Sequence, residues 1–236
     1  LFRRASEDFL ASYSAERLVK IASVASGILE QFASASSRAV IHSSIDSDNS
    51  LTHFFLALDD RSFIVDSVSE FFRSKGLNIS TLLHPLVKHP TKNSMVSLCF
   101  IEIEQELSQA MLKDCQSGLS NLLSDVCTVN DDFSRCVSTL SMVRDHISQS
   151  NSSYLSDSDR SELCDFIGWM NNRGFIIFGV AQWAVKGSKA KDLTPAAAKS
   201  LGLFRENKSN LEKALPEIEE YIHFTLENSL PFYSAK

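Results

Sequence analysis

The chain has 236 residues, a formal charge of −6, and 44% hydrophobic against 22% charged residues. That length suits one large domain or two small ones and needs no disulfide or metal staple. The acidic balance argues against a phosphate-backbone binder, which carries a basic surplus, so no nucleic-acid partner is expected. No apolar run approaches the ~20 residues of a membrane span, and no membrane partner is expected either. The opening Leu1-Phe2-Arg3-Arg4 does not read as a secretory leader, and a first residue other than Met predicts a start inside a longer polypeptide. Five cysteines, at 99, 115, 127, 136 and 164, form no CxxC pair, the pattern of a reduced, cytoplasmic chain with isolated thiols.

In chain order, Leu18, Ile21, Ala25, Ile28, Leu29 and Phe32 recur at helical spacing behind Ser14, a candidate N-cap. A short β-type piece, Ala39–Ile41, follows, then a polar stretch from His42 to Ser50 that reads as loop. Thr52–Leu58 is rich in β-formers and ends at Asp59-Asp60, where a turn is expected. Ile64, Val68, Phe71 and Phe72 define a helix face that Gly76 stops. Ile79–Val87 and Met95–Ile103 are strand candidates joined by a hairpin loop over Lys88–Ser94. Two helical stripes come next, Leu107 to Val126 and Phe133 to Ile147. After a Ser-rich linker, Ser156 and Asp159 are spaced like a capping box before Leu163, Phe166, Ile167 and Met170. Phe175–Val185 predicts a strand, Lys186–Asp192 a solvated basic loop, and Leu211 to Leu226 a last helix ended by Pro231.

The reading is α+β with helices in the majority. Strand, helix, strand, strand, helix over Thr52 to Val126 begins a split βαβ unit of the ferredoxin-like type, whose fourth strand either Ala39–Ile41 or Phe175–Val185 could supply. The expected organisation is a helical lead and short strand over 1–50, an α/β module over 51–147, a polar linker over 148–160, and a helix–strand–helix segment over 161–236. That last segment could start a second module.

Chemistry-bearing motifs are few. With eight glycines, none separated by a single residue, the GxGxxG fingerprint is absent; Gly174 and Gly179 lack the Lys and Ser/Thr of a P-loop. No HExxH or GxSxG occurs, so no metal ligand and no catalytic residue is assigned, and His84 reads as a strand histidine with a backbone partner. Cys99 reads as a small core residue, and Trp169 and Trp183 read as core. The strongest polar cluster is Asp59-Asp60-Arg61-Ser62 at a strand exit. Its acids can cap the following helix, or the four residues can line a small ligand site.

From Asp59 onward the motifs resemble the large bacterial NAD-dependent glutamate dehydrogenases, in their long N-terminal region. Asp59-Asp60 followed by Phe63-Ile64-Val65-Asp66-Ser67-Val68 is similar to that family's two acids, short turn and Phe-Leu-Val-Asp-Ser-Val. Leu82-Leu83-His84-Pro85 and Phe100-Ile101-Glu102-Ile103 are similar to its Leu-Leu-His-Pro and His-Ile-Glu-Ile strands. Phe166-Ile167-Gly168-Trp169, then Phe175-Ile176-Ile177-Phe178-Gly179, and finally Leu201-Gly202-Leu203-Phe204-Arg205 continue the series. Val180 replaces a usual Tyr, and Arg61-Ser62 replace a Met-Pro-like turn.

The resemblance implies ACT-like modules, a fold related to amino-acid-sensing regulatory domains, with Asp59, Asp60, Arg61 and Ser62 as the candidate effector site. It also implies a cytoplasmic, homo-oligomeric parent enzyme that oxidatively deaminates L-glutamate to 2-oxoglutarate. The NAD cofactor and the catalytic residues would belong to the rest of that parent, with no cofactor on this chain. A purely structural oligomerisation scaffold without a small-molecule ligand is the alternative expectation.

Overall fold

The computed structural model describes residues 2, 5–149, 156–181, 183–185, 193–195 and 200–205. The chain divides into two compact units, Leu1–Cys127 and Thr128–Lys236. The first holds helices α1 (Glu7–Ser12) and α2 (Ala15–Ser34), strands β1 (Ala39–Asp46) and β2 (Leu51–Asp59), helix α3 (Ile64–Ser74), strands β3 (Ile79–Leu83), β4 (Leu86–Lys88) and β5 (Met95–Ile103), and the start of α4 (Gln109–Gln149). The fold is α+β. Its sheet runs β1-β2-β5-β3, with β4 also on β5, and every pairing is antiparallel. This is the split βαβ order, and the fourth position is taken by β1, the first of the two expected candidates. β1 runs on to Asp46, so most of the stretch expected as loop is strand: Ser44 and Asp46 pair with His53 and Leu51.

Period-two alternation sorts the central strands onto two cores. Phe54, Leu56 and Leu58 of β2, with Cys99, Ile101 and Ile103 of β5, face α3 and α4. Phe55 and Ala57, with Val96, Leu98 and Phe100, face α2. Helix α2 buries Ile21, Ala25, Ile28 and Phe32, one residue per turn, and Ser14 caps it by accepting from Arg17 N–H. Helix α3 buries Ile64, Val68 and Phe72 and ends in a Schellman motif: Leu77 N–H reaches Phe72 O at 3.0 Å and Gly76 N–H reaches Arg73 O at 3.0 Å. Gly76 adopts φ 68°, which L side chains disfavour. The expected strand Ile79–Val87 is broken at His84-Pro85, because Pro85 has no N–H for the ladder; its carbonyl accepts from Leu98 N–H instead. The expected hairpin between β4 and β5 forms. The two helical stripes after Leu107 belong to one continuous helix, α4.

The second unit contains the later part of α4, helix α5 (Asp157–Trp169), a π-helical turn over Met170–Gly174, and two short ladders. In these, β6 (Gly179–Val180) pairs with β9 (Leu201–Gly202), and β7 (Trp183–Val185) with β8 (Leu193–Pro195). Ser156 caps α5 by accepting from Asp159 N–H at 3.1 Å, and its hydroxyl donates to the Asp159 carboxylate at 2.6 Å. The expected continuous strand Phe175–Val185 is not formed: Phe175–Phe178 are non-strand and the rest is divided between two ladders. Trp169, expected in the core, is 53% exposed. The last predicted helix, the basic loop over Lys186–Asp192 and the Trp183 side chain lie outside what is described.

Candidate functional site

The cluster Asp59–Ser62 lies where β2 leaves the sheet and before α3 begins at Ile64. The acids do not cap that helix. Its N-cap is Phe63, in the left-handed region at φ 71°, with no side-chain cap hydrogen bond. Asp60 instead accepts from Ser97 Oγ of β5 at 2.8 Å, and its backbone N–H bonds Met95 O at 2.9 Å. Asp59 Oδ1 is buried without a hydrogen-bond partner. Arg61 is half-buried and Ser62 exposed.

His84 extends this cluster. Its Nε2 lies 2.9 Å from Ser97 Oγ, a side-chain partner where a backbone one was expected. The Ser97 proton is committed to Asp60, so His84 is the donor and carries a proton on Nε2. That polarity is the reverse of nucleophile activation, where histidine must accept the hydroxyl proton. Ser97 is also wholly buried in β5. The chain Asp60–Ser97–His84 therefore ties the exit of β2, the start of β5 and the break after β3 into one polar unit.

A second polar cluster, which sequence reasoning missed, lies on the α2 face of the sheet. Glu102 of β5 and His53 of β2 are register partners and both buried. Glu102 Oε2 accepts from Tyr13 Oη at 2.8 Å, Arg17 Nη2 at 2.9 Å and His53 Nε2 at 3.1 Å, and Oε1 accepts from Ser80 Oγ at 2.7 Å. Arg17 Nη2 also pairs with Asp46 at 3.2 Å. Burial alone pushes the Glu102 carboxyl up; the hydrogen bonds from His53, Ser80 and Tyr13 and the Arg17 charge reverse that and hold it at about 2. Burial, aided by Glu102, raises the Tyr13 phenol to about 12, against the opposing bond to Thr81. The available signal was a charged residue in the middle of an apolar strand, since buried Glu is rare unless paired.

Cys99 is buried as expected, and burial pushes its thiol up to about 12, so it is no nucleophile at neutral pH. Among the described residues no group of three or more His, Cys, Asp or Glu converges to hold a metal ion. No described helix is long and apolar enough to cross a membrane.

In the second unit, Asp132 of α4 is 1% exposed. Its carboxylate accepts from Gly202 N–H at 2.9 Å and from Arg135 Nη1 at 3.1 Å, with Arg205 Nε at 3.6 Å. Gly202 takes φ 62°, and a Cβ there would stand 2.1 Å from Phe178 O. The glycine is thus required both by its conformation and by the close approach of the Phe178–Gly179 backbone.

No protein-family model matches this chain, and no curated protein matches it significantly.

Proposed function

We propose that this chain is a non-catalytic N-terminal regulatory or assembly region of an NAD-dependent glutamate dehydrogenase. The parent would be a cytoplasmic homo-oligomer that deaminates L-glutamate to 2-oxoglutarate, with NAD and the chemistry held elsewhere in it. The observation that carries the reading is the β1-β2-β5-β3 sheet with α3 and α4 against one face, the strand order expected of an ACT-like module. Two further features support an effector site at Asp59, Asp60, Arg61 and Ser62. Helix α3 starts without a side-chain cap, and Asp59 holds a buried carboxylate oxygen with no hydrogen-bond partner. A ligand ammonium group would satisfy that oxygen, as buried polar atoms require.

A thermal-shift panel of the twenty amino acids, 2-oxoglutarate and NAD tests the reading. A ligand of the folded state stabilises it by about 2.7 kcal/mol at a hundredfold excess over its dissociation constant. A shift with an amino acid but not with NAD, lost in Asp60→Asn, is the expected result. NAD-dependent glutamate turnover by this chain alone would overturn it.

A scaffold without a small ligand is the second reading, and one observation favours it. Phe166, Trp169 and Phe175 of the second unit form an exposed aromatic row, with ring centroids 5.9 Å and 5.0 Å apart. A flat ligand panel, together with a Trp169→Ser variant that loses self-association but not stability, would favour the scaffold.

A further inference from the structure

The sheet of the first unit has two edges, and they differ in construction. On one side β3 is five residues long, shifts register between Ile79 and Thr81, and gives way at Pro85 to β4, which ends at Lys88. Short strands, a bulge, a proline and an edge lysine are the features that keep a sheet edge from pairing with another chain. On the other side β1 runs for eight residues, pairs with β2 without a register shift, and contains neither proline nor lysine. No described strand lies beyond it.

The register fixes which backbone groups of β1 face outward. Asp60 N–H bonds Met95 O at 2.9 Å, one step beyond the Asp59–Val96 pair, so the even-numbered residues of β2 bond β5. Its odd-numbered residues therefore bond the even-numbered residues of β1 that stand opposite them, His42 and Ser44 among these. That leaves the N–H and C=O groups of Ala39, Ile41, Ser43 and Ile45 directed away from the sheet. The strand is anchored from behind: Ala39 and Ile41 pack on the α3–α4 core, and Gln116 of α4 donates to Ser43 Oγ at 2.8 Å. His42 is exposed.

We propose that the outer edge of β1 pairs antiparallel with the β1 edge of a second copy of this chain, across a two-fold axis at His42. In that register Ala39 meets the second copy's Ile45 and Ile41 meets its Ser43, so all four outward-facing residues enter hydrogen-bonded pairs. The two-fold repeats each contact, as an isologous interface requires, and one continuous sheet runs through both copies. Charge complementarity selects a second copy as the occupant. Exposed Arg38, just before the strand, falls opposite the second copy's Asp46 at both ends of the pairing. Asp46 already pairs with Arg17 at 3.2 Å, so Arg38 joins it as a second cation. Pairing at this edge does not depend on the reading given to Asp59–Ser62, nor on the aromatic row of the second unit.

Sedimentation of the whole chain over a range of concentrations, followed by amide exchange, tests it. The expected result is a monomer–dimer equilibrium in which the Ile41, Ser43 and Ile45 amides gain protection as the dimer forms. His42→Lys sets like charges against each other at the axis and should weaken the dimer by about tenfold or more. His42→Glu should do the same, and an equimolar mixture of the two variants should restore the dimer, while Trp169→Ser leaves it unchanged. A monomer at every concentration overturns the proposal; if those amides are nevertheless protected, another segment of the chain covers the edge. A dimer that resists both His42 variants overturns it as well, and so does a mixture that stays monomeric. A dimer lost in Trp169→Ser but kept in His42→Lys places self-association on the aromatic row, which sinks this proposal and leaves the scaffold reading standing.

Discussion

His53 and Glu102 face each other directly across β2 and β5, with Nε2 3.1 Å from Oε2, on a sheet face otherwise built of Phe55, Ala57, Leu98 and Phe100. A carboxylate in such surroundings persists only because four side chains donate to it. Those donors come from α1–α2, β2 and β3, so a single residue of β5 adds a polar tie between the N-terminal helices and the sheet to the apolar packing of α2.

Glu102→Ala should therefore destabilise the chain by about 3 kcal/mol, since it strands His53 without its acceptor and leaves Arg17 only Asp46. Tyr13→Phe and Ser80→Ala each remove one donor and should cost about 1 kcal/mol. Urea melts of the three variants check the ranking; equal costs would show that the network is not centred on Glu102.

The same carboxylate sets an acid limb. Its folded value of about 2 lies below the ordinary 4.5, so it adds stability that is complete above the ordinary value and lost as pH falls toward 2. The contribution is of order 2–3 kcal/mol. Tyr13 behaves oppositely: its phenol is raised from 10.0 to about 12, so its contribution is complete below 10.0 and fades as pH rises through 12. Chemical denaturation across pH should show both limbs, the acid one flattened in Glu102→Gln and the alkaline one in Tyr13→Phe.

Two glycines with positive φ should respond differently to alanine. At Gly76 a Cβ meets nothing within 4 Å, so Gly76→Ala carries only the left-handed backbone penalty of about 1–2 kcal/mol. At Gly202 the same penalty is joined by a 2.1 Å clash with the Phe178 carbonyl, so Gly202→Ala should cost clearly more and open the β6–β9 ladder. Thermal melts and amide exchange at Val180 and Leu203 read the difference.

Asp132→Ala should release the same turn by a different route. It leaves the buried Gly202 N–H without an acceptor, at a cost of about 1–3 kcal/mol. Asp132→Asn keeps an oxygen there and should cost less. Exchange of the Gly202 amide should quicken in the alanine variant and change little in the asparagine one.

The sequence by itself determined the elements whose signals are local. Ser14 caps α2 because a hydroxyl before an amphipathic run satisfies the first free N–H groups, and Gly76 ends α3 because it alone takes a left-handed turn without strain. The α+β character followed from the change of apolar period after Glu104. Pro85 was visible too, but its effect on the strand depended on which ladder it interrupted.

Only the tertiary structure decided what depends on pairing. That β1 rather than Phe175–Val185 completes the sheet is a matter of register between strands, which no local pattern encodes. That Asp60 bonds Ser97 of β5 rather than capping α3 follows from β2 and β5 being neighbours. The exposure of Trp169 shows the same limit, because an apolar side chain buries itself only where a complementary surface is brought to it. Glu102 was legible as a residue and illegible as a site, since its partners lie from 22 to 89 positions away and converge only when the sheet is built.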